Sequence, residues 1–148
     1  MPRYLEDLEP GETFESPRHT ITQAAIVAFA REYDPQPFHV DAEAAKASFF
    51  RKLIASGWHT GALTMMMLNQ AGMDLAGGII GAGTEDLRWP TPLEPGDTIH
   101  VRVEILEARR SKSRPEIGIA RMRIRTLRDD GTAVQEMTAN LVVPVRPG

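Results

Sequence analysis

The stretch GWHTGALTMMMLNQA, residues 57–71, decides the fold. Ser56 stands where an N-cap is needed, its side-chain oxygen able to accept from an orphan amide of the first turn. Trp58, Ala62, Leu63, Met65, Met66, Met67 and Leu68 spread around most of the helical circumference, so this helix is expected to be buried on nearly every side. Gly72 ends it, and the Gly77-Gly78 pair marks a loop. Its best apolar run, Ala62 to Leu68, is far too short to span a bilayer.

Downstream the period changes from helical to alternating. In residues 98–106, Ile99, Val101, Val103 and Ile105 alternate with Thr98, His100, Arg102 and Glu104, which predicts a half-buried strand. Residues 116–128 alternate less cleanly, with Ile117 and Ile119 on one parity and Met122 and Ile124 on the other. A bulge near Gly118 to Ala120 would explain that switch. Asp129-Asp130-Gly131 supplies a turn, and residues 133–143 return with Met137, Ala139, Leu141 and Val143 in phase. Residues 79–89 read as a strand before these.

Upstream, residues 22–33 carry Ile26, Phe29, Ala30 and Tyr33 at helical spacing, with Thr20 or Thr22 as N-cap. Pro35 should stop that helix at Asp34. Asp41 can cap a second helix over 42–49, with Glu43 favourable in its first turn. Helices followed by a run of strands give an α+β fold with an antiparallel sheet rather than alternating βαβ. One helix that is apolar all round needs a sheet curled about it. Such an arrangement, an antiparallel curved sheet wrapped around a long central helix, is the hot-dog architecture, which periodicity is compatible with and does not by itself identify.

The chain has 148 residues, a length suited to one domain, and no Gly/Ser linker divides it, so 1–148 is read as one unit. It is 42% apolar and 25% charged, too apolar for a disordered chain. Lys plus Arg is 17 against 20 for Asp plus Glu, and the net charge of −3 offers no global attraction to nucleic acid. The absence of cysteine excludes disulfides, Fe–S clusters and thiolate zinc sites. His19, His39, His59 and His100 lack the short spacing of a helical metal pair, so neither a metal nor another cofactor is expected. The opening residues MPRYLEDLEPGE are acidic and lack an apolar core, so no signal peptide is expected. Cytoplasmic location, away from membranes, is the default.

The chemistry concentrates in Asp34-Pro35-Gln36-Pro37-Phe38-His39. Two prolines fix φ and remove amide donors, so the segment is expected to be a stiffened loop, neither helix nor central strand. It carries a carboxylate and an imidazole that full extension would hold up to roughly 17 Å apart. To act on one water the loop must bend, and prolines lower the entropy lost in fixing that bend. In the bland alternative, Asp34 caps a turn and His39 merely starts the next helix.

With Phe29 ahead of it, this segment resembles the signature of the MaoC-like dehydratases, also called the R-specific enoyl-CoA hydratases or hydratase 2 family. That signature runs from an aromatic residue, after a short gap, to Gly-Asp-x-Asn-Pro-(Leu/Ile/Val)-His. Asp34, Pro37 and His39 match in register, while Tyr33, Gln36 and Phe38 replace the Gly, the Asn and the small aliphatic residue. The longer Gln36 alters how the loop is braced, and Phe38 can narrow a pocket. Ile54-Ala55-Ser56-Gly57-Trp58 looks like the family's turn into the hot-dog helix. Arg88-Trp89-Pro90 through Pro95-Gly96-Asp97-Thr98 looks like its lead into the C-terminal strands.

The resemblance spans nearly the whole chain. It implies reversible hydration of a trans-2-enoyl thioester to an (R)-3-hydroxyacyl thioester, carried on CoA or on an acyl-carrier protein. Asp34 and His39 would share one water and divide the roles of base and acid, giving syn addition, and either can be the base. The thioester oxygen gains charge as the enolate forms and needs a preorganised donor. At the helix N-terminus the Gly57 amide is unpaired, and glycine lets a carbonyl approach closely. The alternative is that Gly57 only eases the start of the helix. Gln36, Phe38, Ser56, Trp58 and Arg88 are the expected substrate contacts, and a homodimer with joined sheets, possibly assembled further, is the expected partner state.

Three further features have two readings each. His59 can reach the site, or serve as a structural histidine bonded to a backbone carbonyl. The three methionines can line an acyl tunnel, though core packing is expected for at least two of them. The basic run Arg109-Arg110-Ser111-Lys112-Ser113-Arg114 can attract CoA phosphates or form a solvated hairpin turn. A rival thioesterase would place a carboxylate on the central helix, and residues 57–71 contain none. A noncatalytic acyl-CoA or acyl-carrier binding module would not need both acid–base residues.

Overall fold

Alternating inward apolar residues give the sheet its buried face, and the order of strands fixes where its edge lies. In the computed structural model, which describes residues 1–148, a short 3-10 turn precedes strands β1 (Thr13–Glu15) and β2 (His19–Thr20). Helices α1 (Gln23–Tyr33), α2 (Pro37–Val40), α3 (Ala42–Ala45) and α4 (Gly57–Asn69) follow. Strands β3 (Ile80–Arg88), β4 (Thr98–Arg110), β5 (Ile117–Arg128) and β6 (Ala133–Pro144) complete the chain. The strands form one antiparallel sheet in the order β1-β4-β5-β6-β3, with β2 also on β4. Ile99, Val101, Val103 and Ile105 of β4, Met122 and Ile124 of β5, and Leu141 and Val143 of β6 are buried beneath α4. This is the hot-dog fold.

A hydroxyl chain ties helix to sheet. Thr64 donates to the Thr60 carbonyl at 2.8 Å and meets the Thr126 hydroxyl of β5 at 2.6 Å, so both buried oxygens are satisfied. No helix is long and apolar enough to cross a membrane.

Several sequence expectations change. The bulge expected at Gly118 to Ala120 is absent, and pairing with β6 runs unbroken from Ile117 to Thr126. Gly118, Ala120, Met122 and Ile124 share the inward parity, while Ile117 and Ile119 face out. Gly118 occupies that parity because a Cβ there would collide with Leu5 and the Arg109 carbonyl. The irregularity lies across the pairing, in β4 between Ile105 and Glu107. Strands β1 and β2, too short to show a period, were not expected.

Helix α4 is not buried all round. Met67 and Leu68 face the sheet, whereas Trp58, Ala62, Met65 and Met66 lie exposed on one flank. Only one methionine of the three therefore packs in the core. The helix is apolar beyond what its own sheet can cover. Thr22, not Thr20, caps α1, accepting from the Ala25 amide at 3.1 Å. Asp41 caps α3 by accepting from Glu43 and Ala44, but that helix ends at Ala45 rather than near 49.

Candidate active site

Asp34 ends α1, its amide donating to the Ala30 carbonyl at 2.8 Å. Extended Gln36 then hands the chain to Pro37, which starts α2 as its first residue. The sequence reading excluded a helix here, and the structure corrects it. Proline is tolerated at a first helical position because its missing N–H would have had no partner there. One turn of helix closes the bend, with the Asp41 amide donating to the Pro37 carbonyl at 3.0 Å. The turn brings His39 Nε2 to 3.3 Å from Asp34 Oδ2.

The segment before α4 completes the arrangement. The Ile54 amide donates to the Phe38 carbonyl at 3.1 Å, and His39 Nδ1 lies 2.7 Å from the Ile54 carbonyl. A carbonyl can only accept, so Nδ1 carries the hydrogen and a neutral ring presents a lone pair at Nε2. That lone pair faces Asp34 Oδ2, which already accepts from the Ser56 hydroxyl at 2.7 Å. With the ring neutral, two acceptors face one another at 3.3 Å and call for a shared donor, a role open to a water. His39 is buried, while the Asp34 side chain keeps 22% exposure, which leaves solvent a way in.

Ser56 is fully buried and has two partners. Besides donating to Asp34, its oxygen accepts from the Trp58 amide at 3.3 Å as the α4 N-cap. The Gly57 amide, first in the helix, has no protein acceptor. Gly57 also meets a steric demand that sequence reading missed. A Cβ there would lie 2.6–2.9 Å from three indole carbons of Trp89. Trp89 donates from Nε1 to the Gln135 side-chain oxygen at 2.9 Å and stands edge-to-face with Trp58 at 5.1 Å.

A cavity of about 310 Å³ borders His39 and Gly57, with Phe38, Thr60, Trp89 and Leu93 also in its wall; Asp34 and Ser56 lie outside its lining. Phe38 packs edge-on to His39 and tilted against Phe50. The far wall is the 90–97 loop. Arg128 braces it, donating to the Pro92 carbonyl and pairing with Asp97 at 2.9 Å, and Lys52 reaches its Glu94 at 3.0 Å.

The structure thus gathers Asp34, His39, Ser56, Gly57 and Phe38. Gln36 contributes its backbone carbonyl, which accepts from the His39 amide at 2.9 Å, and its side chain caps nothing. Trp58 points into a second, apolar groove. Arg88 is not brought in: it is exposed, 3.7 Å from Asp86, beside a shallow depression lined by Arg123 and Glu136. His59 is buried and stacked flat on Phe29 at 4.5 Å, with Nδ1 lacking any partner instead of holding a carbonyl. Burial, with the nearby His19 charge second, holds the His59 pKa below the ordinary histidine value. The basic run falls on the β4–β5 hairpin, where Arg109, Arg110 and Arg114 each pair with a glutamate.

Residues 7–126 match the family model for the MaoC like domain. The solved MaoC-like dehydratase from Rhodospirillum rubrum is 53% identical, with a TM-score of 0.94 over 99% of both chains. R-Hydratase PhaJ1 from Pseudomonas aeruginosa, solved in the unliganded form, is 26% identical with a TM-score of 0.74. That match covers 97% of this chain and 86% of that one. Protein MaoC of Klebsiella aerogenes is 35% identical over 102 residues, 68% of this chain. The chain spans only 30% of that protein's length.

Proposed function

The chain belongs to the MaoC-like domain family, and from that premise we propose that it interconverts a trans-2-enoyl thioester and an (R)-3-hydroxyacyl thioester of CoA or an acyl-carrier protein. The observation that carries the reading is the 3.3 Å approach of His39 Nε2 to Asp34 Oδ2, with Nδ1 tied to the Ile54 carbonyl. Water held by both acceptors attacks the β-carbon, and its oxygen forms the new C–O bond. The π electrons move toward the thioester oxygen, giving an enolate. One member of the pair takes the water proton, and a proton returns from the pair to the α-carbon on the same face. Both events start from one side of the substrate, so addition is syn.

The enolate oxygen is assigned to the Gly57 amide at the positive end of α4. Losing one such donor costs other enzymes about 3–4 kcal/mol. Ser56 holds Asp34 in place, and Phe38 and Trp58 bound the acyl group. Helix α4 carries no carboxylate, which speaks against a thioesterase using that helix to activate water.

Partnership with a second copy belongs to the same reading. β3 ends the sheet order, so one side of it lacks a strand, and the exposed flank of α4 lies beside it. An apolar flank next to an open edge favours pairing.

The test is crotonyl-CoA incubated with pure protein, following the conjugated thioester absorbance. Asp34→Asn and His39→Ala are each expected to slow turnover by about 10²–10⁴-fold, the range for a positioned acid or base. Full activity in both variants would remove the dyad. Release of free thiol without loss of the double bond would make the protein a thioesterase instead.

A further inference from the structure

The outer face of the sheet, turned away from α4 and the dyad, carries an arginine cluster that the proposed reaction does not use. Arg102 on β4 and Arg123 and Arg125 on β5 alternate with the buried Val101, Val103, Met122 and Ile124, so all three point outward. With Glu104 they line a depression of about 170 Å³. The strand register sets Arg102 opposite Arg125 and Glu104 opposite Arg123. Like charges directly opposite one another in a sheet are destabilising, yet these two strands hold an arginine pair in that position.

Carboxylates do not cancel the cluster. Arg121 and Arg128 of the same strand pair with Glu85 and Asp97, and the arginines of the β4–β5 hairpin pair with glutamates, whereas Arg102 and Arg123 have no carboxylate partner. Glu15, opposite Arg102 in β1, leans to His100 at 3.8 Å. Glu136, opposite Arg125 in β6, comes only within 3.9 Å of its guanidinium. The Arg125 Nε–H is buried without an acceptor, a cost that native structures normally remove. Guanidinium forks match phosphate oxygens in geometry as well as charge. The lining holds three arginines and one glutamate, a surplus that suits a phosphate monoester of about −1.5 to −2 charge. Pockets for whole small molecules run to about 300–1,000 Å³, so this one takes a single group and leaves its carrier in solvent. We propose that Arg102, Arg123 and Arg125 form a binding site for a phosphate monoester on the outer sheet face, independent of the thioester reading above.

The test is titration calorimetry of the full chain with inorganic phosphate and with glycerol 3-phosphate, each against sodium chloride at matched ionic strength. A one-site isotherm is expected for both phosphates and none for chloride; no phosphate isotherm overturns the proposal. Arg102→Gln and Arg125→Gln should each weaken binding by about ten- to a hundredfold, the worth of one hydrogen bond to a charged group. Arg31→Gln, which removes an exposed arginine of α1, should leave binding unchanged. In wild-type protein the Arg125 Nε–H resonance should move on adding phosphate, and a stationary signal would refute the site. Without phosphate, Arg102→Gln should unfold in urea at or above the wild-type midpoint, because it removes a like-charged neighbour. A lower midpoint would make Arg102 a structural residue and count against the proposal. Vesicles containing phosphatidic acid separate the two sources of such a group. Co-sedimentation assigns it to a lipid headgroup, and ester binding without co-sedimentation assigns it to a soluble ester. Equally tight binding of an oligoglutamate peptide would make the patch a docking face for an acidic protein and overturn the phosphate assignment. Phosphate binding indifferent to both substitutions would overturn it too.

Discussion

Gly57→Ala is the sharpest perturbation of this site, because it leaves the α4 amide in place and changes only what packs against it. The added Cβ would lie 2.6 Å from Cε2 and 2.7 Å from Cδ2 of Trp89. Carbon pairs rest at about 3.5–4.0 Å, so the indole must retreat by about 1 Å. It is not free to do so, being held by its 2.9 Å bond to Gln135 and by the edge of Trp58. Overpacking of this kind costs about 1–3 kcal/mol, and the loosened hydrogen bond adds about 1. Trp89 is also a wall of the cavity bordering His39, and a shift of about 1 Å in a substrate-positioning group can cost about 10²-fold in rate. Urea unfolding and the crotonyl-CoA assay read the two effects separately. Trp89→Ala in the Gly57→Ala background should relieve the clash, giving a coupling energy of about 1–3 kcal/mol in a double-mutant cycle. If Gly57→Ala unfolds within about 0.5 kcal/mol of wild type and the cycle shows no coupling, the steric account of Gly57 is wrong.

Three other outcomes follow from the same contacts. Ser56→Ala removes the N-cap of α4 and the hydroxyl that donates to Asp34, and should cost about 1–3 kcal/mol in unfolding together with a fall in kcat; an unchanged kcat would separate Ser56 from the dyad. His59 should make the fold acid-sensitive. Its native pKa is depressed below 6.5, so as pH falls through that value the unfolded chain binds the proton first and stability drops, by at most about 1.4 kcal/mol per pH unit. The paired carboxylates Glu12 and Glu85 are shifted down from 4.5 and lose their contributions only below that, so urea midpoints between pH 6.5 and 4.5 isolate the histidine. His59→Phe should flatten the curve there, and an equal slope in the variant would assign it to other groups. Sedimentation at micromolar concentration should give a dimer, and Ile80→Lys on β3 should shift it toward monomer; a monomeric wild type would contradict the pairing inferred from β3 and α4.

Much of this molecule is local, and local features are readable in a sequence. Alternation over 98–106 and 133–143 reports strand faces because the side-chain period is two, and Thr22, Asp41 and Ser56 cap helices through bonds reaching only two or three residues. The Asp34–His39 pair was readable as a candidate because the prolines between them allow few backbone shapes. Where the reading failed, something distant intervened. The inward parity of β5 starts at Gly118 because Leu5 and the β4 backbone fill the space, which no period within 116–128 records. The flank of α4 is exposed where its composition suggests core, because apolar character alone does not say whether a protein's own sheet or another surface covers it.

Sequence alone therefore determined the alternation of β4 and β6, the Asp41 and Ser56 caps and the existence of a bend after α1, since each is set by neighbours along the chain. Tertiary structure decided the rest of the site. The Ile54 carbonyl that sets the His39 tautomer is 15 residues away, the Ser56 hydroxyl on Asp34 is 22 away, and the Gln135 amide on Trp89 is 46 away. A hydrogen bond depends on ångström-scale approach of two atoms, and at such separations only the packed sheet and helix bring them together.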